Sequence, residues 1–334
     1  MRHGTMKCYL LRFLLAIAGG FALLQLDAQA QPAARVYRIG VLEMAPPDLR
    51  SPGQMAFYEE LRLRGYVEGR NLVIERRNPA GRVDALPALA RELVALGPDL
   101  IVASSPQPTR AVKDATSTIP IVMAFVADPV GLGLAASLAH PGGNLTGVAT
   151  LVSGHLASKG LQLLREVVPS AKRIAVLSNP TNEMHRIVLQ ENSQAALQLG
   201  VQLQVFQARV PDEIEPALQA AVADRAEALL VVGDSVFNTP PARLPQLVAR
   251  SRLPALYVAR AQVEAGGLMS FGPDFTDLSR RVASYVDRIL KGANPGDLAI
   301  DQPTKFRLVI NLKTAKTLGL TIPQSLLLSA ELIE

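Results

Sequence analysis

The sequence predicts an α/β chain of two similar lobes, each built on a parallel sheet, and three observations carry that expectation. Apolar runs of strand length alternate with helix-period stretches, and Gly, Pro or Asn stand between them, as in successive βα units. The second half repeats landmarks of the first in the same order. Arg38-Ile-x-Val-Leu42 returns as Arg173-Ile-x-Val-Leu177, "DLIVASS" from Asp99 as "ALLVVGD" from Ala228, Ile119-Pro120 as Leu253-Pro254, and Gly142-Gly143 as Gly266-Gly267, at offsets of 135, 129, 134 and 124 residues. Finally, 334 residues that are 49% hydrophobic and only 19% charged suffice for two ordinary cores.

The chain opens outside those lobes. Arg2, Lys7 and Arg12 precede an uncharged run over residues 13–26, and Ala28-x-Ala30 follows. Positive residues, a short apolar stretch and small residues at a cleavage point read as a secretory signal peptide over residues 1–30. A membrane anchor is the rival reading, but a span needs about 20 apolar residues and this run has 14. The single cysteine, Cys8, lies before the run, so no lipid-modified cysteine is expected at its end and the mature chain has none. Disulfides, zinc–thiolate sites and cysteine nucleophiles are thereby excluded from it. Removal of three cations and Asp27 lowers the net charge from +5 to +3. With no basic block carrying interleaved aromatics, no nucleic-acid partner is expected.

Strands are expected to begin near Arg38, Asn71, Asp99 and Ile119, and again near Arg173, Val201, Ala228 and Leu253. Between them, residues 83–97 place Val83, Leu86, Leu89, Leu93 and Leu96 on one helical face, with Arg91 and Glu92 away from it. "FVADPVGLGLAASLAHPGGN" from Phe125 holds Gly131-x-Gly133-x-x-Ala136 directly after a strand. A dinucleotide fingerprint needs an acidic residue about 20 positions further on, yet the first one after Asp128 is Glu166. The glycines also follow the fourth strand rather than the first. The stretch therefore reads as a glycine turn that lets a helix pack closely on the sheet, and no cofactor is expected.

Ligands of open parallel sheets bind beyond the carboxyl ends of the strands. Those ends give Glu43, Ser104, Ser105, Asp128, Asn179, Asn182, Asp234 and Arg260 as candidate ligand-binding residues. Ser105, Asn182 and Asp234 fit helix N-caps equally well, and Glu43 and Arg260 fit a structural ion pair. Catalysis finds no constellation. His140, His155 and His185 have neither metal-ligand nor triad spacing, and there is no Gly-x-Ser-x-Gly elbow or Walker sequence. No catalytic residue and no metal site are expected.

"GYVEGRNLVIE", "ADPVGLGLAASLAHPGGNLTG", "AGGLMSFG", "ILKGANPGDL" and "QPTKFRLVINLKTAKTLGLTIP" resemble, in order and over nearly all of the mature chain, the tryptophan/tyrosine-type substrate-binding proteins of ABC transporters. The resemblance implies the type I periplasmic binding fold, two Rossmann-like lobes with parallel sheets joined by three crossovers, near residues 147–153, 266–271 and 292–296. The lobes would be residues 31–152 plus about 268–292, and 153–267 plus about 293–334. Helix 274–291, with Phe275, Leu278, Val282, Val286, Ile289 and Leu290 on one stripe, would cover the first lobe.

It also implies a function. A periplasmic monomer would capture a small-molecule ligand, an amino acid or an aromatic compound, by hinged closure of the lobes. It would deliver that ligand, without turnover, to ABC permease subunits in the inner membrane. A secreted α/β enzyme acting on a small molecule in the same cleft is the alternative. For an amino-acid ligand, Ser104, Ser105 and the N–H groups of a helix beginning near Pro108 would take the carboxylate, and Asp234 the ammonium. Phe57, Tyr58, Phe125, Phe237, Tyr257 and Phe271 are candidate apolar walls.

Overall fold

Short runs of Ile, Val, Leu and Ala form the central strands of two sheets. The computed structural model describes residues 35–44, 51–150, 156–238 and 240–334, without the side chains of residues 156 and 157. The expected signal peptide lies outside them. The first sheet comprises β1 (Tyr37–Leu42), β2 (Leu72–Arg77), β3 (Leu100–Ser104), β4 (Ile121–Val126) and β5 (Leu145–Ala149), all parallel in the order β2-β1-β3-β4-β5. The second comprises β6 (Arg173–Ser178), β7 (Gln202–Gln207), β8 (Ala228–Val231), β9 (Ala255–Tyr257), β10 (Met269–Pro273), β11 (Phe306–Asn311) and β12 (Glu331–Ile333). Its order read from one edge is β7-β6-β8-β9-β10-β11-β12. The first five strands reproduce the order of the first sheet, so the sequence repeat is a repeat of topology. β11 then runs antiparallel to β10.

Both faces of each sheet are covered, as parallel sheets require. On the first, Ile39, Val41, Val102 and Val122 face helices Pro52–Leu63 and Phe275–Leu290, through Phe57, Leu61, Leu278, Val282 and Val286. Leu42, Ile101, Ala103 and Met123 point the other way, against Leu86, Leu93 and Val112 of helices Leu86–Ala95 and Pro106–Ala115. Val83, expected on this face, sits in a one-turn 3-10 segment ahead of the helix and is exposed. The second sheet packs Ile174, Val176, Leu230 and Leu256 against helices Leu156–Val167 and Glu183–Leu199. Its opposite face carries Ala175, Leu177, Leu229 and Val231, under helices Ile214–Ala223 and Arg243–Ser251. Among the described residues, no helix is long and apolar enough to cross a membrane.

The chain changes lobe at places that differ from those implied by the resemblance. β10 belongs to the second sheet, whereas helix Phe275–Leu290, which follows at once, packs on the first. The crossing therefore falls at Pro273 and Asp274 and not within 266–271. Gly266 only ends the short helix Arg260–Glu264 with a positive φ of 102°. Residues 293–301 likewise remain on the first lobe. Thr146 Oγ1 donates to Leu298 O at 2.7 Å, Ile300 joins the first-lobe core, and Asp301 bridges Val148. The return falls at 302–305, because Gly292 closes the helix rather than bending the chain away from the lobe. The first crossover, near 147–153, falls partly on residues outside the described set, 151–153.

A second expectation also fails. No helix follows the Gly131/Gly133 turn, and residues 127–143 are a chain of turns between β4 and β5. Asp128 Oδ1 accepts from Gly131 N at 2.8 Å, and a Cβ on Gly131 would lie 2.2 Å from the same carboxylate. Leu134 is pinned into the core of the first lobe. The glycines thus serve the turn itself.

Candidate functional site: a cleft between the two lobes

The carboxyl ends of β1, β3 and β4 on one side and of β8 and β9 on the other border a cavity of about 890 Å³. Glu43, Ser104, Ser105, Asn182, Asp234 and Arg260 line it, whereas Asp128 and Asn179 do not. Asp128 is spent on its turn. Asn179 works behind the wall: its Oδ1 accepts from Thr181 N and Oγ1 at 3.0 and 2.8 Å, and its Nδ2 donates to Asp234.

The first-lobe wall is strained where it meets the cavity. Ser105, between β3 and helix Pro106–Ala115, has φ 77° and ψ 166°, a region that non-glycine residues occupy at a cost of about 1–3 kcal/mol. The surroundings over-determine it. Its N–H donates to Ala124 O at 2.8 Å, and its carbonyl accepts from the fully buried Thr109 through N at 3.2 Å and Oγ1 at 2.8 Å. Ser105 makes no side-chain cap bond, and its buried Oγ has no hydrogen-bond partner. The N-cap alternative is therefore not used here. The helix starts at Pro106 rather than near Pro108, and neither proline has an N–H, so Gln107 supplies the one backbone donor among its first three residues. The helix end is a much poorer carboxylate site than the sequence expectation assumed. Nearby, Phe125 bulges from β4 with φ 61° and meets Phe275 edge-on at 5.6 Å.

The second-lobe wall is a closed polar network. Asp234 Oδ2 accepts from Asn182 Nδ2 at 2.8 Å and stands 3.4 Å from His185 Nε2. Its Oδ1 accepts from Val236 N at 2.9 Å and Asn179 Nδ2 at 3.3 Å. Burial raises the Asp234 carboxyl, but the donors from His185, Asn182 and Val236 outweigh it and hold the group below the usual carboxylate range. His185 Nδ1 accepts from Asn179 N–H at 2.8 Å, so the ring proton sits on Nε2, which also faces Gly233 O at 3.3 Å. With both nitrogens engaged, this histidine braces the loops and is not free to act as a base. Asn182 combines both readings made of it, capping Met184 N at 3.1 Å while lining the cleft.

Glu43 and Arg260 do not pair with each other. Glu43 Oε2 accepts from Gln54 Nε2 at 2.7 Å, while Arg260 bonds Glu264 at 2.6 Å and also meets Glu331. Burial lifts the Glu43 carboxyl above its ordinary value, only partly opposed by Gln54 and the Arg76 charge. Of the aromatic candidates, Phe57, Tyr58, Phe125 and Phe271 line the cavity, whereas Phe237 and Tyr257 are buried in the second-lobe core. Sequence reasoning missed the polar side of helix Phe275–Leu290. Thr276 and Arg280, and likewise Phe275 and Ser279, are i, i+4 pairs that face the cleft. The same period that identified the apolar stripe carried that signal. Arg280 has no ion pair among the described residues, whereas Arg307, also in the lining, bonds Asp274 at 2.9 Å.

Comparison with known proteins agrees with this geometry. A family model described as ABC transporter substrate binding protein matches residues 39–333. The tyrosine-binding protein of Clostridioides difficile (strain R20291) is 25% identical over 282 residues, covering 84% of this chain and 81% of its own. The crystal structure of an ABC domain in complex with L-Trp from Streptococcus pneumonia has a TM-score of 0.80 at 27% identity, covering 89% of this chain and all of its own. A conserved domain protein from Vibrio cholerae reaches 0.83 at 27% identity, over 90% of this chain and all of its own. The two lobes have the architecture of type I periplasmic binding proteins, and the chain belongs to the ABC transporter substrate-binding protein family.

Proposed function

We propose that the protein captures an amino acid, or a related aromatic compound, between its lobes and delivers it unchanged to ABC permease subunits of the inner membrane. The cavity carries this reading. Its strand-end walls come from two lobes that, among the described residues, no sheet hydrogen bond joins, and it combines the rings of Phe57, Tyr58, Phe125, Phe271 and Phe275 with a few polar groups. A small solute bearing an apolar body and polar ends fits such a lining. The names of two relatives, one binding tyrosine and one solved with L-Trp, support the ligand class. The signal-peptide pattern of residues 1–30 supports export and periplasmic work. We read the protein as a monomer, with no nucleic-acid partner, that closes by hinging at the crossover segments. Glu43, Ser104, Ser105, Asn182, Asp234 and Arg260 remain the proposed cleft residues, some contacting the ligand and some holding the walls.

A thermal-shift screen of the purified protein against amino acids, aromatic acids and other small solutes tests the reading. A ligand that binds only the native state at 100 times its Kd adds about 2.7 kcal/mol of stability. Stabilisation with full recovery of the solute is expected. Steady conversion of the solute to product would favour the secreted-enzyme alternative.

A further inference from the structure

Four carboxylates line the cleft; two are fully occupied, and a third, Glu264, is exposed and already paired with a cation. Asp234 is saturated by the four groups described above. Glu264 is tied to Arg260. Asp274 caps helix Phe275–Leu290, with Oδ1 accepting from Thr276 N at 3.1 Å and Asp277 N at 3.2 Å, and its Oδ2 meets Arg307 at 2.9 Å.

Glu43 differs. One oxygen accepts from Gln54, and the other has no protein partner among the described residues and keeps its exposure to the cleft, although the residue as a whole is only 7% exposed. The cation that could have answered it is engaged elsewhere. Arg76 makes two bonds to Glu68, at 2.7 and 2.9 Å, and donates to Tyr58 Oη at 3.2 Å. A largely buried carboxylate that keeps one oxygen open to the cleft is available to a donor or a positive charge carried in by a ligand. Beside Glu43 the lining turns apolar, with Phe57 and Tyr58 on helix Pro52–Leu63. Asp234, by contrast, has no acceptor left for an ammonium.

We propose that the ligand carries a protonated amine next to an apolar or aromatic body, and that Glu43, not Asp234, receives that amine. This rests on reading the cleft as the solute site. It narrows the solute class to amines, including amino acids, and excludes the corresponding acids that lack the amino group.

Isothermal titration tests the assignment with six probes: L-tryptophan, L-tyrosine, tryptamine, tyramine, indole-3-propionate and 3-(4-hydroxyphenyl)propionate. The amine-bearing member of a pair should bind at least about 30-fold more tightly than its deaminated acid, the lower range for losing one partner of a desolvated charge pair. Glu43→Gln should remove that difference without lowering the melting temperature. The groups facing Glu43 are Gln54 and Tyr58 from helix Pro52–Leu63 and Arg76 from β2. Because an ammonium favours the ionised carboxylate, binding at a pH between the ordinary glutamate value and the raised folded one should release protons, measured in buffers of different ionisation enthalpy, and Glu43→Gln should abolish the release. Deaminated acids that bind as tightly as the amines overturn the assignment on the unmutated protein alone. Amine binding that Glu43→Gln leaves unchanged overturns it as well. If none of the six probes binds, the reading of the cleft fails first and takes this assignment with it.

Discussion

Asn182 and Asp234 clamp together the carboxyl ends of β6 and β8, with Nδ2 of one 2.8 Å from Oδ2 of the other and both residues buried. The clamp includes His185 and Asn179, so Asp234 is a keystone of the second-lobe wall more than a free ligand contact.

Asp234→Ala should therefore destabilise the fold by about 3–5 kcal/mol, since it leaves buried donors facing nothing. Asp234→Asn, with nearly the same shape, should change ligand affinity by less than about threefold, far below one hydrogen bond to a charged group. Melting curves and titrations on the two variants separate these effects. The folded carboxyl binds its proton less readily than the unfolded one. Its stabilising contribution should then be complete above about pH 4 and vanish as the pH falls through the lowered folded value.

Glu43 should show the opposite sign. Burial raises its carboxyl in the folded state, so the native protein holds more protons than the unfolded chain between the ordinary glutamate value and the raised one. Stability is lost as the pH rises through that window. Glu43→Gln should accordingly raise the melting temperature at pH 7 to 8, and the gain should shrink as the pH is lowered toward about 4.5. An equal effect at every pH would contradict this account.

Ser105 is held in a strained backbone conformation by Thr109 and Ala124. Ser105→Gly relieves that strain while giving up side-chain restriction of the unfolded chain, so a net stabilisation of up to about 2 kcal/mol is expected. Ligand affinity should fall, because glycine loosens the backbone that Ser105 contributes to the cleft wall. Denaturant melts paired with titrations would show the two quantities moving in opposite directions.

Much of the fold is legible in the sequence because it rests on local, periodic signals. The eight expected strands are present, and the order of repeated landmarks foretells that β6 to β10 copy β1 to β5. The stripe on helix Phe275–Leu290 foretells a helix needing a sheet to cover. What the sequence hides are pairings set by tertiary contact. Asp128 and Asn179 have the right residue types at strand ends, yet Gly131 and Thr181 claim their side chains. Phe237 and Tyr257 belong wholly to the second-lobe core, whereas Phe57 belongs to the first-lobe core and also borders the cleft, a difference that residue type does not show. Glycine marked the crossovers at 266 and 292 falsely, since a glycine that ends a helix and one that turns the chain toward another lobe look alike until the packing is known. The saturation of Asp234 depends on three side chains up to 55 residues away in sequence and could not be read from spacing.

One measurement bears most directly on the central claim of solute capture in the interlobe cleft: titration calorimetry of the purified protein with L-tryptophan and L-tyrosine, followed by recovery of the ligand. The account predicts saturable one-to-one binding of at least one of them, release of the intact amino acid on denaturation, and weakening of that binding by about 30-fold or more in Glu43→Gln. Absence of binding to both, or recovery of a chemically altered product, would contradict it.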